Sequence, residues 1–126
     1  MDNSLLAVRE MNHKYIVVVK ERRIMAMEIT SANFEQEVLN SPVPVLVDFW
    51  ASWCMPCKML APAIEELSQE ANGAYKVGKI DVDAAPDLAA RFGVMNIPTV
   101  LVFQGGQVVK KSVGVVPKQQ LADLLK

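Results

Sequence analysis

Only two cysteines occur in the 126 residues, and they stand three positions apart in the run Cys54-Met55-Pro56-Cys57. A disulfide between them would close a very small loop, so it would remove little entropy from the unfolded chain and add little stability. Their use is chemical. Residues i and i+3 of a helix carry Cβ atoms about 5–6 Å apart, so a modest adjustment brings the two sulfurs within bonding range. An apolar run, Val45–Trp50, precedes the pair and reads as a strand; residues at helical spacing follow it. Cys54 therefore falls at a helix N-terminus, where unpaired backbone N–H groups and the helix dipole favour a thiolate. Pro56 removes an N–H that the first turn leaves unpaired in any case, and it stiffens the link. Such a pair can attack a foreign disulfide through Cys54 and resolve the mixed disulfide through Cys57. A zinc site would need more ligands than these two, but no other cysteine exists and the single histidine, His13, lies in the N-terminal segment. No metal is expected.

Two charged residues lie where apolar ones would be ordinary. Asp48 is the only charge within Val45–Trp50. If buried, its carboxyl would hold its proton to a higher pH and could exchange it with Cys57 near neutrality. The plainer reading is a strand-end aspartate that hydrogen-bonds to backbone, and the sequence leaves both open. Lys79 stands between Gly78 and Ile80 in a second apolar stretch; alone, it reads as a lysine snorkelling to the surface.

The elements that must position these groups alternate along the chain. Met25–Ile29 reads as a short strand, and Thr30 and Ser31 as caps for a helix carrying Phe34, Val38 and Leu39. After Pro42 and Pro44, Val45–Trp50 is nearly continuous in apolar residues, as in a strand covered on both faces. A helix from Met55 to Ala71 places Leu60, Ile64, Leu67 and Ala71 inward and Glu65, Glu66, Gln69 and Glu70 outward, with a kink expected at Pro62. Tyr75–Val82 is a strand, Pro86–Phe92 a short helix stopped by Gly93, and Thr99–Phe103 and Gln107–Val113 a hairpin around Gly105–Gly106. Pro117 opens a last helix with Leu121, Leu124 and Leu125 inward. The order βαβαβαββα predicts an α/β fold, a mixed sheet with parallel pairs, an antiparallel hairpin at its edge and helices on both faces.

Composition narrows the function further. The chain is 52% hydrophobic and 21% charged with a formal net charge of −1, which suits one globular domain and gives no global attraction to nucleic acid. The pairs Arg22–Arg23 and Lys110–Lys111 read as solvated surface. Residues 1–25 are set apart as an N-terminal extension, disordered, forming an extra edge strand at Tyr15–Val19, or arising from an upstream start, with Met11, Met25 and Met27 as alternative starts. Residues 26–126 make the domain proper. Tyr15–Val19 is too short for the roughly 7–15 apolar residues of a signal-peptide core or the roughly 18 of a membrane span. A cytoplasmic monomer that does not enter membranes is expected.

The segment Val47-Asp48-Phe49-Trp50-Ala51-Ser52-Trp53-Cys54-Met55-Pro56-Cys57-Lys58 resembles the active-site signature of the thioredoxin family. The resemblance continues through Lys79–Asp83, Ile97-Pro98-Thr99, Phe103–Gly106 and Val113–Gly114, covering the chain from about residue 27 to its end. It implies the thioredoxin fold and a protein thiol–disulfide oxidoreductase working in the reducing direction. Electrons would come from a thioredoxin reductase and pass to disulfide-containing substrate proteins. No cofactor would be bound, the reactive group being the cysteine pair itself. By the same resemblance Cys54 is an exposed nucleophile, Cys57 a buried resolving cysteine, Asp48 the carboxylate beneath them and Lys79 its neighbour. Pro98 matches the family's cis-proline, leaving the Ile97 backbone free to pair with an extended substrate. Trp53, Ile97 and Gly114 would form the flat apolar surface around Cys54, with Trp50 packed below. The resemblance has two departures. Met55 stands where glycine is usual, and Met95–Asn96 replaces commoner pairs; both bear on partner choice, as Met55 and Pro56 border the attacking sulfur. Thioredoxin-like oxidases or isomerases, and a scaffold module with incidental turnover, are the competing readings.

Overall fold

The computed structural model describes residues 25–126. The expectations for the N-terminal extension, including a strand at Tyr15–Val19, lie outside the described residues. Strand β1 (Met27–Glu28) is followed by a short helical segment α1 (Glu35–Leu39), strand β2 (Val45–Trp50), the long helix α2 (Met55–Glu70) and strand β3 (Lys76–Asp81). Helix α3 (Pro86–Arg91), the hairpin β4 (Thr99–Gln104) and β5 (Gln107–Val113), and helix α4 (Lys118–Leu124) complete the chain. The sheet order is β1-β3-β2-β4-β5. β3 runs parallel to both β1 and β2, whereas β4 runs antiparallel to β2 and to β5. The mixed sheet and the order of elements are those the sequence predicts.

β2 lies at the centre because its residues are apolar on both faces. Val45, Val47 and Phe49 pack into a cluster with Ile29, Phe34, Val38, Ile80, Leu88 and Phe103. Leu46, on the opposite face, packs with Leu60, Ile64 and Leu67 of α2, with Val77, Val100 and Val102, and with Leu121 of α4. Period-two alternation puts Asp48 on the same face as Leu46 and Trp50, turned towards α2. Burying each of these large aliphatic or aromatic side chains contributes about 1.5–3 kcal/mol, so the second half-core fixes α2 firmly against β2 while the first holds the opposite face of the strand.

Several local expectations are corrected. β1 contains two residues rather than five. Thr30 does cap, its hydroxyl accepting from the N–H groups of Ala32 and Asn33, but Ser31 donates instead to both carboxylate oxygens of Asp87, at 2.8 and 2.9 Å. α1 is a single wide turn, closed by Asn40 N–H donating to the Glu35 carbonyl at 2.9 Å. Glu65 does not face outward: its carboxylate accepts the Ala26 N–H at 2.8 Å and so ties α2 to the chain entering β1.

Candidate active site

The site forms where β2 ends and α2 begins, beyond the carboxyl end of a central strand, as open α/β sheets favour. Cys54 is the N-cap of α2, with extended backbone, and its sulfur accepts the Cys57 N–H at 3.2 Å. Pro56 occupies the first turn, where its missing N–H costs nothing. Cys54 and Cys57 are joined as a disulfide, their Cα atoms 5.3 Å apart. Their burial departs from expectation. Cys54 is 4% exposed and Cys57 2%, so the closed pair does not present one open sulfur and one hidden one. The reason is packing: both cysteines cluster with Ala51, and Trp50, Val82 and Ile97 press against them.

Beneath the disulfide, Asp48 is 1% exposed. Among the described residues neither of its carboxylate oxygens has a hydrogen-bond partner, which removes the reading of a strand aspartate satisfied by backbone. Asp48 and Cys57 instead line one cleft of about 180 Å³ together with Trp50, Lys58, Ala61 and Lys79. Burial pushes the Asp48 carboxyl up to about 7; the positive charge of Lys79 opposes that rise and the negative charge of Glu65 adds to it. Lys79 is placed by strand register, since β2 and β3 pair Asp48 directly with Lys79. Its ammonium lies 4.7 Å from the centroid of the Trp50 ring and 3.9 Å from a Glu65 carboxylate oxygen.

The surface around the sulfurs comes from three other places. The Ile97–Pro98 bond is cis, and the Ile97 carbonyl oxygen lies 3.8 Å from the Cys54 sulfur. Gly114 donates its N–H to the Pro98 carbonyl at 2.8 Å and adopts φ of +91°, a conformation that favours glycine. Trp53 stands at the rim, 68% exposed, and its indole N–H donates to Asp83 at 2.8 Å. An apolar groove of about 370 Å³ runs from Trp53 past Val82, Ala89 and Val94 to Met95 and Ile97. Met95, in its lining, is 90% exposed, and Met55, next to Cys54 in the chain, is 64% exposed.

The structure thus brings Cys54, Cys57, Asp48, Lys79, Trp53, Met55, Pro56, Ile97, Pro98 and Gly114 to one end of the sheet. Sequence reasoning missed two residues. Glu65 follows Cys57 and Ala61 at successive steps of four on α2, a stripe that was available from helical periodicity. Asp83, the acceptor for Trp53, depends on the path of the loop after β3 and left no local signal.

Comparison with known proteins agrees with this geometry. The sequence profile of the family described as Thioredoxin matches residues 25–126. Thioredoxin 1 of Nostoc sp. (strain PCC 7120) is 49% identical over 100 residues, covering 79% of this chain and 94% of that protein. The thioredoxin of Synechocystis sp. (strain PCC 6803) is 48% identical over 98 residues, 78% of this chain and 92% of its own. A bifunctional thioredoxin reductase/thioredoxin of Mycobacterium leprae is 50% identical over 97 residues, which make up 77% of this chain but 21% of that larger one. Sharing almost half its residues with thioredoxins along nearly their whole length, the chain belongs to the thioredoxin family and is a thiol–disulfide oxidoreductase.

Proposed function

We propose that the chain is a cytoplasmic, monomeric carrier of two electrons, reduced by a thioredoxin reductase and oxidised by protein disulfides, with no bound cofactor, metal or nucleic acid. The observation that carries this reading is the Cys54–Cys57 pair closed at the N-terminus of α2 above the unpartnered Asp48. In the reduced protein the Cys54 thiolate attacks one sulfur of a substrate disulfide. A Cys54–substrate disulfide forms and the other substrate sulfur leaves as a thiolate. Asp48, across the shared cleft, then takes the Cys57 proton. The Cys57 thiolate attacks the Cys54 sulfur, the second substrate thiolate departs, and the protein is left as the disulfide. Two electrons have passed to the substrate. A dithiol donor reverses these steps to regenerate the pair.

Trp53, Met55, Pro56, Ile97 and Gly114 make up the surface on which the substrate segment lies, with the buried Pro98 tied to Gly114 through its carbonyl. The exposed methionines suit it to varied partners, since thioethers are flexible and polarisable. The fusion of a reductase to a thioredoxin in the Mycobacterium leprae relative supports a thioredoxin reductase as donor here. The test is reduction of insulin in the presence of dithiothreitol, followed by turbidity. The full chain accelerates precipitation, Cys54→Ser abolishes the acceleration, and Cys57→Ser accumulates a mixed disulfide visible by intact mass. Retention of activity in Cys54→Ser would overturn the assignment. Equilibration with a dithiol buffer at pH 7 tests direction: the class value for thioredoxins is about −270 mV, whereas a value near about −180 mV would mark an oxidant or isomerase.

A further inference from the structure

We propose that Glu65 is a positioning residue of the redox site: it draws the Lys79 ammonium to itself and so keeps the Asp48 carboxyl able to hold a proton while Cys57 waits to deliver one. The inference rests on the acid–base role given to Asp48 above and assigns its control to a residue outside the cysteine motif.

The charged groups that face Asp48 are few. From α2 come Lys58, lining the cleft, and Glu65 two helical steps beyond Cys57; from β3 comes Lys79. Cross-strand register sets Lys79 directly beside Asp48, where a flexible lysine would be expected to bend onto the carboxylate and neutralise it. It does not. The ammonium forms its ion pair with Glu65, at 3.9 Å, and rests over the Trp50 ring. Both partners of this pair are sheltered, with side-chain exposures of 22% for Lys79 and 30% for Glu65, so solvent screens it less than a surface pair. Glu65 is itself held. Its other carboxylate oxygen accepts the Ala26 N–H at 2.8 Å, an anchor from the chain entering the sheet edge. Glu65 therefore acts on Asp48 in two ways of the same sign: it occupies the only lysine paired with Asp48 in the sheet, and it adds a second negative charge nearby. Both raise the affinity of the Asp48 carboxylate for a proton, as a base that must take one from Cys57 requires.

The experiment is a pH titration of the oxidised full chain, labelled with ¹³C at aspartate carboxyl groups and followed by NMR. Oxidation removes the cysteines as titrating groups. Glu65→Gln keeps an oxygen for the Ala26 N–H and removes the charge; the Asp48 midpoint is expected to fall by about half a pH unit or more. The pH profile of insulin reduction should move to lower pH with it. Glu65→Asp keeps the charge and should hold the wild-type midpoint to within about 0.2. In a Lys79→Gln background the fall caused by Glu65→Gln should shrink to less than half, because the part routed through the lysine is gone. An unchanged midpoint in folded Glu65→Gln overturns the proposal, and so does a fall of equal size in both backgrounds. Should Glu65→Gln not fold, Lys79→Gln alone decides. Asp48 then rises by less than one unit if Glu65 already holds the ammonium, and by one unit or more if it does not. Failure here would leave Cys54→Ser still inactive, whereas failure of the oxidoreductase reading would appear as an active Cys54→Ser.

Discussion

Replacing Asp48 with asparagine should uncover a stability that the wild-type chain gives up as pH rises. Below about pH 4 the carboxyl is protonated in both the folded and the unfolded chain and makes no difference. Between there and about pH 7 the unfolded chain releases the proton while the buried side chain keeps it, so the native state binds more protons and stability falls with rising pH. Above the folded value the full penalty applies. The gap between 3.8 and about 7, at roughly 1.36 kcal/mol for each pH unit, amounts to about 4 kcal/mol. Asparagine does not titrate, and whatever its own unpaired amide costs is the same at every pH. The assay is urea denaturation of the oxidised protein from pH 4 to pH 8.5, read by tryptophan fluorescence. The stability of Asp48→Asn minus that of wild type should climb by about 4 kcal/mol across that range, most of it between pH 4 and pH 7. A flat difference would refute the reasoning, because it would mean that the carboxyl titrates alike in both states.

Other expectations follow from particular contacts. Gly78→Ala would place a Cβ 2.6 Å from Cγ1 of Ile29, itself 2% exposed, and should cost about 1–3 kcal/mol, measurable as a lowered Tm. Ile64→Ala empties the fully buried centre of the α2 face; a loss of about 2–5 kcal/mol in urea is expected, with insulin reduction retained at 20 °C. Trp53→Phe keeps the aromatic rim but loses the bond to Asp83. A loss of about 1 kcal/mol in orientation would raise KM for a protein disulfide about fivefold with kcat nearly unchanged.

The cysteine chemistry was legible in sequence because it depends on local spacing and on a strand–helix junction, both of which leave periodic signals. Asp48 was legible as a suspicious charge in an apolar strand, though only the fold could show that no backbone group satisfies it. Lys79 needed the parallel register of β2 and β3, which no single segment encodes. Glu65 was misplaced because outward acidic residues on an amphipathic helix are the usual case; its inward turn depends on the chain before β1 supplying the Ala26 N–H. Pro98 and Gly114 were placed by family resemblance alone. Their meeting, through the Gly114 N–H and the Pro98 carbonyl, joins the two ends of the β4–β5 hairpin. The burial of Cys54 also escaped the sequence, because it is set by Ile97 and Val82, which arrive from two other loops.

The bond between Gly114 and Pro98 closes the recognition loops onto each other, while the reacting sulfurs belong to the unbroken stretch Asp48–Lys58. Attack and address are therefore carried by separate parts of the chain. Drift at Met95, Asn96 or Val115, all exposed and none in contact with Asp48, can redirect the protein to new clients at little expense to its chemistry. A lineage built this way can multiply copies that share one reaction and divide the clientele among them.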